Sequence, residues 1–300
     1  MSNISAIAVE PSGRKPKKWI TVERVVVYSV LTICALFFLF PLYIMIITSM
    51  KDIQAIQGGN IFVPTMHPTF DAWNKALFHA CTGLYCEGIT PGFWNSVRIT
   101  GPSVIVSIAV ASVTGYSLAN WPFKFSEAFF TVLLVSSFIP YVVMLYPLVI
   151  ITRWLGIYST LPAVVLVHTI FGLPILTLLF RNYFSSLPQE LFKAARVDGA
   201  GYWRIFFQVF APMSVPIFTV AVILQVTGIW NDFLFGVIYA GPTNYPMTVQ
   251  LNNIVNSVQG GKEYNVDMAA TILTGIVPLA IYFFSGKYFV RGIAAGAVKG

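Results

Sequence analysis

Charge is scarce in this sequence: only 10% of its 300 residues are Asp, Glu, Lys or Arg, against about 25% in an ordinary soluble domain. Acidic residues number 11 and histidines three. His67, His79 and His168 lie far apart, and no H-E-x-x-H run exists to hold a catalytic zinc. There is also no G-x-x-x-x-G-K-[ST] phosphate loop, so any ATP hydrolysis linked to this chain has to come from another one. No cluster of polar groups suggests a catalytic centre, and no metal site is expected, because His67 and His79 complete no zinc spacing with the cysteines.

Apolar residues make up 57% of the chain, more than a water-soluble fold of this length could hide. The net charge of +7 could indicate a nucleic-acid partner. The 18 Lys and Arg, however, gather at the ends of apolar runs, which is a membrane-topology signal. Membrane lipid is therefore expected around the chain, and nucleic acid is not.

Residues 1–24 are polar and basic, with Arg14, Lys15, Lys17, Lys18 and Arg24. The apolar run that follows is long enough to cross about 30 Å of hydrocarbon, and it lacks the short core and small-residue site of a cleaved leader. The predicted spans are 25–47, 95–119, 127–151, 160–180, 213–238 and 268–289, within a permease domain of 25–289 followed by a tail at 290–300. The fold class expected is all-α integral membrane with six transmembrane helices. Pro41, Pro140, Pro147, Pro174 and Pro278 fall in or near these spans, where kinks are expected.

With the N-terminus inside, Arg14, Lys15, Lys17, Lys18, Arg24, Lys124, Arg181, Lys193, Arg196, Arg204, Lys287, Arg291 and Lys299 are cytoplasmic, 13 of the 18 basic residues. The positive-inside rule then places both termini in the cytoplasm and 48–94 outside. Cys81 and Cys86 lie in that external connection, where a C-x4-C pair is compatible with a local disulfide or with two free thiols. Cys34 falls in the first span.

The polar interruption at 185–212 is too patterned for a simple turn. Ser186 with Gln189 has capping-box spacing, Pro188 suits a first helical turn, and Gly199 suits a left-handed cap. These signals predict an amphipathic cytoplasmic helix of about ten residues between spans four and five. Leu187, Leu191, Ala194 and Ala195 share one face, and Gln189, Lys193 and Arg196 share another. Such a helix suits a bed of lipid headgroups as well as it suits a partner protein.

The run Glu190-Leu-Phe-Lys-Ala-Ala-Arg-Val-Asp-Gly-Ala, with Pro212 and Pro216 downstream, resembles the EAA loop of binding-protein-dependent ABC importer permeases. Trp230-Asn231-Asp232-Phe233, Tyr288-Phe-Val-Arg-Gly and the terminal Gly296-Ala-Val-Lys-Gly are similar to maltose-type carbohydrate permeases, so the likeness covers spans two to six and the tail. The resemblance implies that 185–212 is a coupling loop, with Glu190, Leu191, Ala194, Ala195, Asp198, Gly199 and Ala200 meeting an ATPase subunit. It also implies a bacterial inner-membrane complex of two different permeases, two ABC ATPases and an external sugar-binding protein. ATP and Mg belong to the ATPases, and this chain carries no cofactor and is no enzyme. One position departs from the family pattern: Lys193 stands where Glu usually precedes the two alanines, and Glu190 cannot be assumed to replace it. The external Cys pair further resembles glucose/mannose-type permeases.

Polar residues within spans must face protein or water. Ser136, Ser137 and Gln225 near mid-span, and Trp230, Asn231 and Asp232 toward the outer end of the fifth span, are candidates for the sugar path. Helix–helix hydrogen bonding is the competing use of such residues, and it is the one expected of His168. An ion-coupled secondary transporter is the alternative function, but it would be expected to carry paired intramembrane charges or an inverted repeat. Asp232 alone is an acidic residue clearly inside a span.

Overall fold

The computed structural model describes residues 21–83, 85–257 and 261–297, with side chains through Ser285. Most of the basic segment 1–24, the last three residues of the tail and the side chains of the Tyr288–Gly292 run lie outside the described residues. Two compact units form, 1–45 and 46–300. In the first, the described residues are a long apolar helix, α1 (Val22–Ser49), which carries Pro41 and ends within the second unit's sequence.

The described part of the second unit contains helices and turns and no strand. Short helices α2 (Ile53–Gly58) and α3 (Asp71–Phe78) precede α4 (Thr90–Asn120), α5 (Ser126–Ser136), α6 (Tyr141–Trp154) and α7 (Leu161–Ser186). Next come α8 (Gln189–Val197), α9 (Tyr202–Ile205), a π-helical turn (Phe206–Phe210), α10 (Ala211–Met213) and α11 (Val215–Trp230). A second π-helical turn (Gly236–Ala240) leads to α12 (Met247–Val255) and α13 (Tyr264–Ala297).

Four helices are long and apolar enough to cross a membrane: α1, α4, α7 and α13 from Tyr264 to Ser285. Two bent pairs bring the number to as many as six, α5 with α6 at 104° and 202–213 with α11 at 79°. The segments expected as the third and fifth spans are therefore bent helix pairs and not the straight helices that apolar length suggests. Pro140 has no amide to donate and disfavours helix in the residue before it, which separates α5 from α6. Similarly, Pro212 and Pro216 flank the turn at Ser214 between α10 and α11. Helix α4 begins earlier than the sequence reading has it, because Pro91 sits in its first turn. Helix α7 continues through Ser186 and α13 through Ala297, beyond the expected ends at 180 and 289.

The core is built on α4 against α7, the most extensive helix pair of the described residues. Along α4, Ser103, Ser107, Ala111 and Gly115 recur every fourth residue and are buried. Their hydroxyls are satisfied within the helix, Ser103 donating to the Ile99 carbonyl at 2.7 Å and Ser107 to that of Val104 at 3.3 Å. This stripe carries no bulk, so the helices approach until backbones touch, which is how helices gain dispersion energy in a solvent as apolar as they are. At Gly115 the approach is closest: a Cβ there would lie 2.7 Å from both the Arg181 amide nitrogen and Phe180 Cβ.

At one end of this unit a second, small-residue cluster forms from Ala72, Ala76 and Ala80 around α3 with Trp230, Met247, Ile254, Val266, Ala269 and Ala270. The loop that leaves α3 contains a disulfide between Cys81 and Cys86. It is pinned across the unit by the Asn253 amide, which donates to the Thr82 carbonyl at 3.2 Å. Lys51, 3% exposed, is held nearby by the Asn60 carbonyl at 2.9 Å.

Two outcomes follow. Gly115→Leu should overpack the α4–α7 contact, costing about 1–3 kcal/mol, and should lower the melting temperature and yield of the detergent-purified chain. Val110→Leu, at an exposed position of the same helix, should leave both unchanged. Mass spectrometry of non-reduced peptides should recover the Cys81–Cys86 linkage from native membranes, and quantitative alkylation of both thiols would contradict it.

Candidate functional site

The residues singled out from sequence fall into two sets, one gathered in a single region and one spread out. The first lies at the end of α4 and α7 opposite the disulfide. Its centre is Tyr116, fully buried, whose ring meets Tyr202 at 5.0 Å, Phe206 at 5.2 Å, Phe210 at 5.3 Å and Phe184 at 5.9 Å. The Trp121 indole donates to the Tyr116 hydroxyl at 2.9 Å, and the hydroxyls of Ser117 and Tyr202 lie 2.6 Å apart. Rings from α4, α7, α9 and the first π turn thus close one aromatic cluster, in which offset and edge-on pairs add to the area buried.

Helix α8 docks on this cluster through Phe192. That side chain is 8% exposed and sits edge-on to Trp121 at 5.5 Å and to Phe210 at 6.2 Å. The Arg196 guanidinium lies 4.7 Å from the centre of the Trp121 ring, a cation–π contact on the same helix face. The nine-residue helix ends in a two-bond cap: the Ala200 amide donates to the Ala195 carbonyl and the Gly199 amide to that of Arg196, with Gly199 at φ 75°. This is the Schellman arrangement, and it needs a residue that tolerates positive φ.

The expected apolar face of α8 splits. Leu187, Ala195 and Ala200 pack toward the core, whereas Leu191 and Ala194 are exposed, as are Glu190, Lys193, Asp198 and Gly199. Phe192 takes the inward position because its ring fills the Trp121–Phe210 gap, and that rotates Leu191 and Ala194 outward. The Ser186–Gln189 capping box does not form either. Ser186 is the last residue of α7 and donates to the Tyr183 carbonyl at 2.7 Å, and Pro188 occupies the cap of α8 with no side-chain bond.

The second set, the intramembrane polar candidates, is spread over separate contacts. Gln225 donates to Ser107 Oγ at 2.8 Å and lies against Gly172, so it ties α11 to α4 and α7. Trp230 is 3% exposed, with its indole nitrogen on the Thr274 carbonyl at 3.0 Å and its ring edge-on to Phe93 at 5.7 Å. Trp230 is thus buried, whereas Gln225 is half-buried.

Asn231 and Asp232 lie past the end of α11, not inside a span helix. One Asp232 carboxylate oxygen accepts from the Phe235 and Gly236 amides at 3.0 and 3.1 Å and so caps the second π turn. His168 Nε2 stands 3.7 Å from that oxygen, and its ring meets Phe235 edge-on at 5.2 Å. Asn231 is exposed. Ser136 and Ser137 are exposed at the α5–α6 break instead of mid-helix, their hydroxyls turned back to the Leu133 and Leu134 carbonyls.

What sequence reasoning missed is the seat of α8, Phe192 and the rings beneath it. The signal was present in the i, i+4 spacing of Phe206 and Phe210 and in aromatic residues at both ends of the interruption. It could not be separated from ordinary aromatic richness, because 15% of the chain is aromatic.

A family profile described as "Binding-protein-dependent transport system inner membrane component" matches residues 107–295. The osmoprotective compounds uptake permease protein GgtD of Synechocystis sp. is 32% identical over 86% of this chain and 92% of its own length. The alpha-glucoside transport system permease protein AglG of Rhizobium meliloti is 33% identical over 85% of this chain and 67% of its own length. The arabinooligosaccharides transport system permease protein AraQ of Halalkalibacterium halodurans is 31% identical over 87% of this chain and 91% of its own length. Among solved structures, a chain of a bacterial ABC transporter involved in the import of the acidic polysaccharide alginate superposes with a TM-score of 0.74 at 20% identity, covering 89% of this chain and 96% of that one. That likeness extends the relationship to the fold. The matched segment runs from the buried stripe of α4 through the docked α8 to α13, and on this ground the chain belongs to the binding-protein-dependent transport system inner membrane components, the multi-pass permease subunits of ABC importers, whose ATPase is a separate subunit.

Proposed function

We propose that this chain is one of two non-identical permease subunits of an ATP-driven sugar importer, and that α8 with the loop to 212 is the element through which ATPase work reaches the membrane. The observation that carries this reading is the docking of α8 by Phe192 on the Tyr116 cluster, which leaves Leu191, Ala194, Asp198 and Gly199 uncovered. A helix simply resting on lipid would turn its apolar residues toward the headgroups and would have no need of a rigid aromatic seat. The names of the relatives, an alpha-glucoside permease and an arabinooligosaccharides permease among them, support a sugar as cargo.

In this scheme there are six spans, α5 with α6 and the 202–230 region each counting as one broken span. Both termini are cytoplasmic in the bacterial inner membrane, 48–94 and 240–266 are external, and an external sugar-binding protein delivers cargo there. ATP and Mg sit on the two ATPase subunits. Closure of the ATPase pair moves α8, and the shared rings carry that displacement into α4 and α7 at once. The coupling free energy is limited to the difference in α8–ATPase binding between the two transport states, so a rigid seat is required for the stroke to arrive undiminished. An ion-coupled transporter is disfavoured by family membership and by Asp232, whose carboxylate is engaged in capping.

Two variants test the seat and the cap separately. Phe192→Ala removes a buried ring, a loss of about 3–5 kcal/mol at a core site. It should abolish sugar uptake and ATPase copurification while membrane abundance persists. Gly199→Val meets no neighbouring atom, so its cost is backbone strain alone, about 1–2 kcal/mol, and uptake should fall roughly tenfold. Normal uptake by the Gly199 variant would sink the coupling role. Independently, a single cysteine at position 193 in intact cells should resist a membrane-impermeant thiol reagent, and one at position 75 should react; labelling at 193 from outside would overturn the topology.

A further inference from the structure

Between Ser136 and Tyr141 the chain turns through 104° within a stretch apolar enough to be a single span. The amides of Ser137, Phe138 and Ile139 bond back to the carbonyls of Leu134, Val135 and Ser136. Among the described residues, the carbonyls of Ser137, Phe138 and Ile139 accept no backbone hydrogen bond. Bare carbonyls cannot face hydrocarbon, because each unsatisfied group costs several kcal/mol there. Non-helical backbone at membrane depth is stable only against protein or along a water-filled path.

The side chains around the break fit the second setting. Tyr141 and Tyr146 are 54% and 73% exposed, and Phe138 is 83% exposed. Tyr141 is edge-on to Phe235 at 6.4 Å, which brings the break beside the turn capped by Asp232. The break thus offers carbonyl acceptors that take no backbone bond together with the exposed Phe138 and Tyr141 rings, and the exposed Tyr146 phenol follows five residues on along α6. The Asp232 carboxylate is engaged by two amides and faces His168, so the surface offers no uncommitted charge for an ion.

We propose that this break, with Tyr141 and Tyr146, is where the subunit touches a neutral polyhydroxylated solute in transit, the rings covering its C–H faces and the carbonyls and phenols taking its hydroxyls. The proposal rests on the importer reading above and adds to it the contact surface and its chemistry.

The test uses the complete importer in proteoliposomes, with partner permease, ATPases and binding protein, and reads sugar uptake and binding-protein-stimulated ATPase activity together. Tyr141→Phe/Tyr146→Phe removes only the hydroxyls and should lower uptake about tenfold with stimulation retained. Tyr141→Ala/Tyr146→Ala should lower it further. Unchanged uptake in both double variants overturns the proposal, as does a parallel loss of uptake and stimulation, which marks a packing surface against the partner permease. In a Cys34→Ala background, Ser137→Cys should react with a charged, membrane-impermeant thiol reagent, and the transported sugar should slow that reaction. Reaction only with a lipid-soluble maleimide shows that the break faces lipid and overturns it. A wild-type complex that moves no sugar in the same vesicles overturns the importer function itself, a result distinct from the failure of these variants.

Discussion

The close approach of α4 to α7 sets the geometry on which the described permease unit depends. It is made possible by the four-residue repeat of small side chains from Ser103 to Gly115, and one bulky residue in that stripe would push apart every ring stacked at its end. Tyr116 follows directly after the tightest contact, so the position of its ring is fixed by the backbone and not by its own rotamer alone. Rings from α7, α9 and the first π turn then crowd around it. In a bilayer, where lipid tails are as apolar as the side chains, such interdigitated packing supplies the specificity that water supplies in soluble cores.

That fixed aromatic seat gives α8 its function in the proposed importer. A helix of nine residues has little stability of its own. Phe192 and the Arg196–Trp121 contact make it an extension of the membrane core, while the Gly199 cap ends it sharply. The outward side of α8 is consequently presented at a set angle. Movement of that side cannot be absorbed locally without pulling Phe192 from between Trp121 and Phe210.

Several polar groups among the described helices hold elements together. Gln225 to Ser107, Trp230 to the Thr274 carbonyl, Tyr239 to the Leu145 carbonyl and Asp232 to the turn after α11 are all accounted for. The Thr100, Thr177 and Thr227 hydroxyls and the Asn120 Oδ1 are buried without a partner, and at the break the carbonyls of 137–139 accept no backbone hydrogen bond. Residue type alone does not tell a polar group that ties helices together from one that does not.

Residue order by itself determined the membrane class, through long apolar runs with basic ends, because hydrocarbon thickness leaves few alternatives for such runs. It also located the short helix after α7, since Pro188 and Gly199 punctuate it and a positive φ at Gly199 follows from local sterics. The breaks in the third and fifth spans were half legible: Pro140, Pro212 and Pro216 mark where a helix is weakened, but prolines often only kink a membrane helix, and nothing local distinguishes a kink from a right-angle turn. Which face of α8 points inward was decided by the ring-sized gap between Trp121 and Phe210, and those residues lie 71 and 18 positions away from Phe192 in the chain. Likewise, only the tertiary structure separated Trp230, sealed against α13, from Asn231 beside it. Helical periodicity assigns a residue to a direction, and the neighbours that give that direction its meaning come from remote segments.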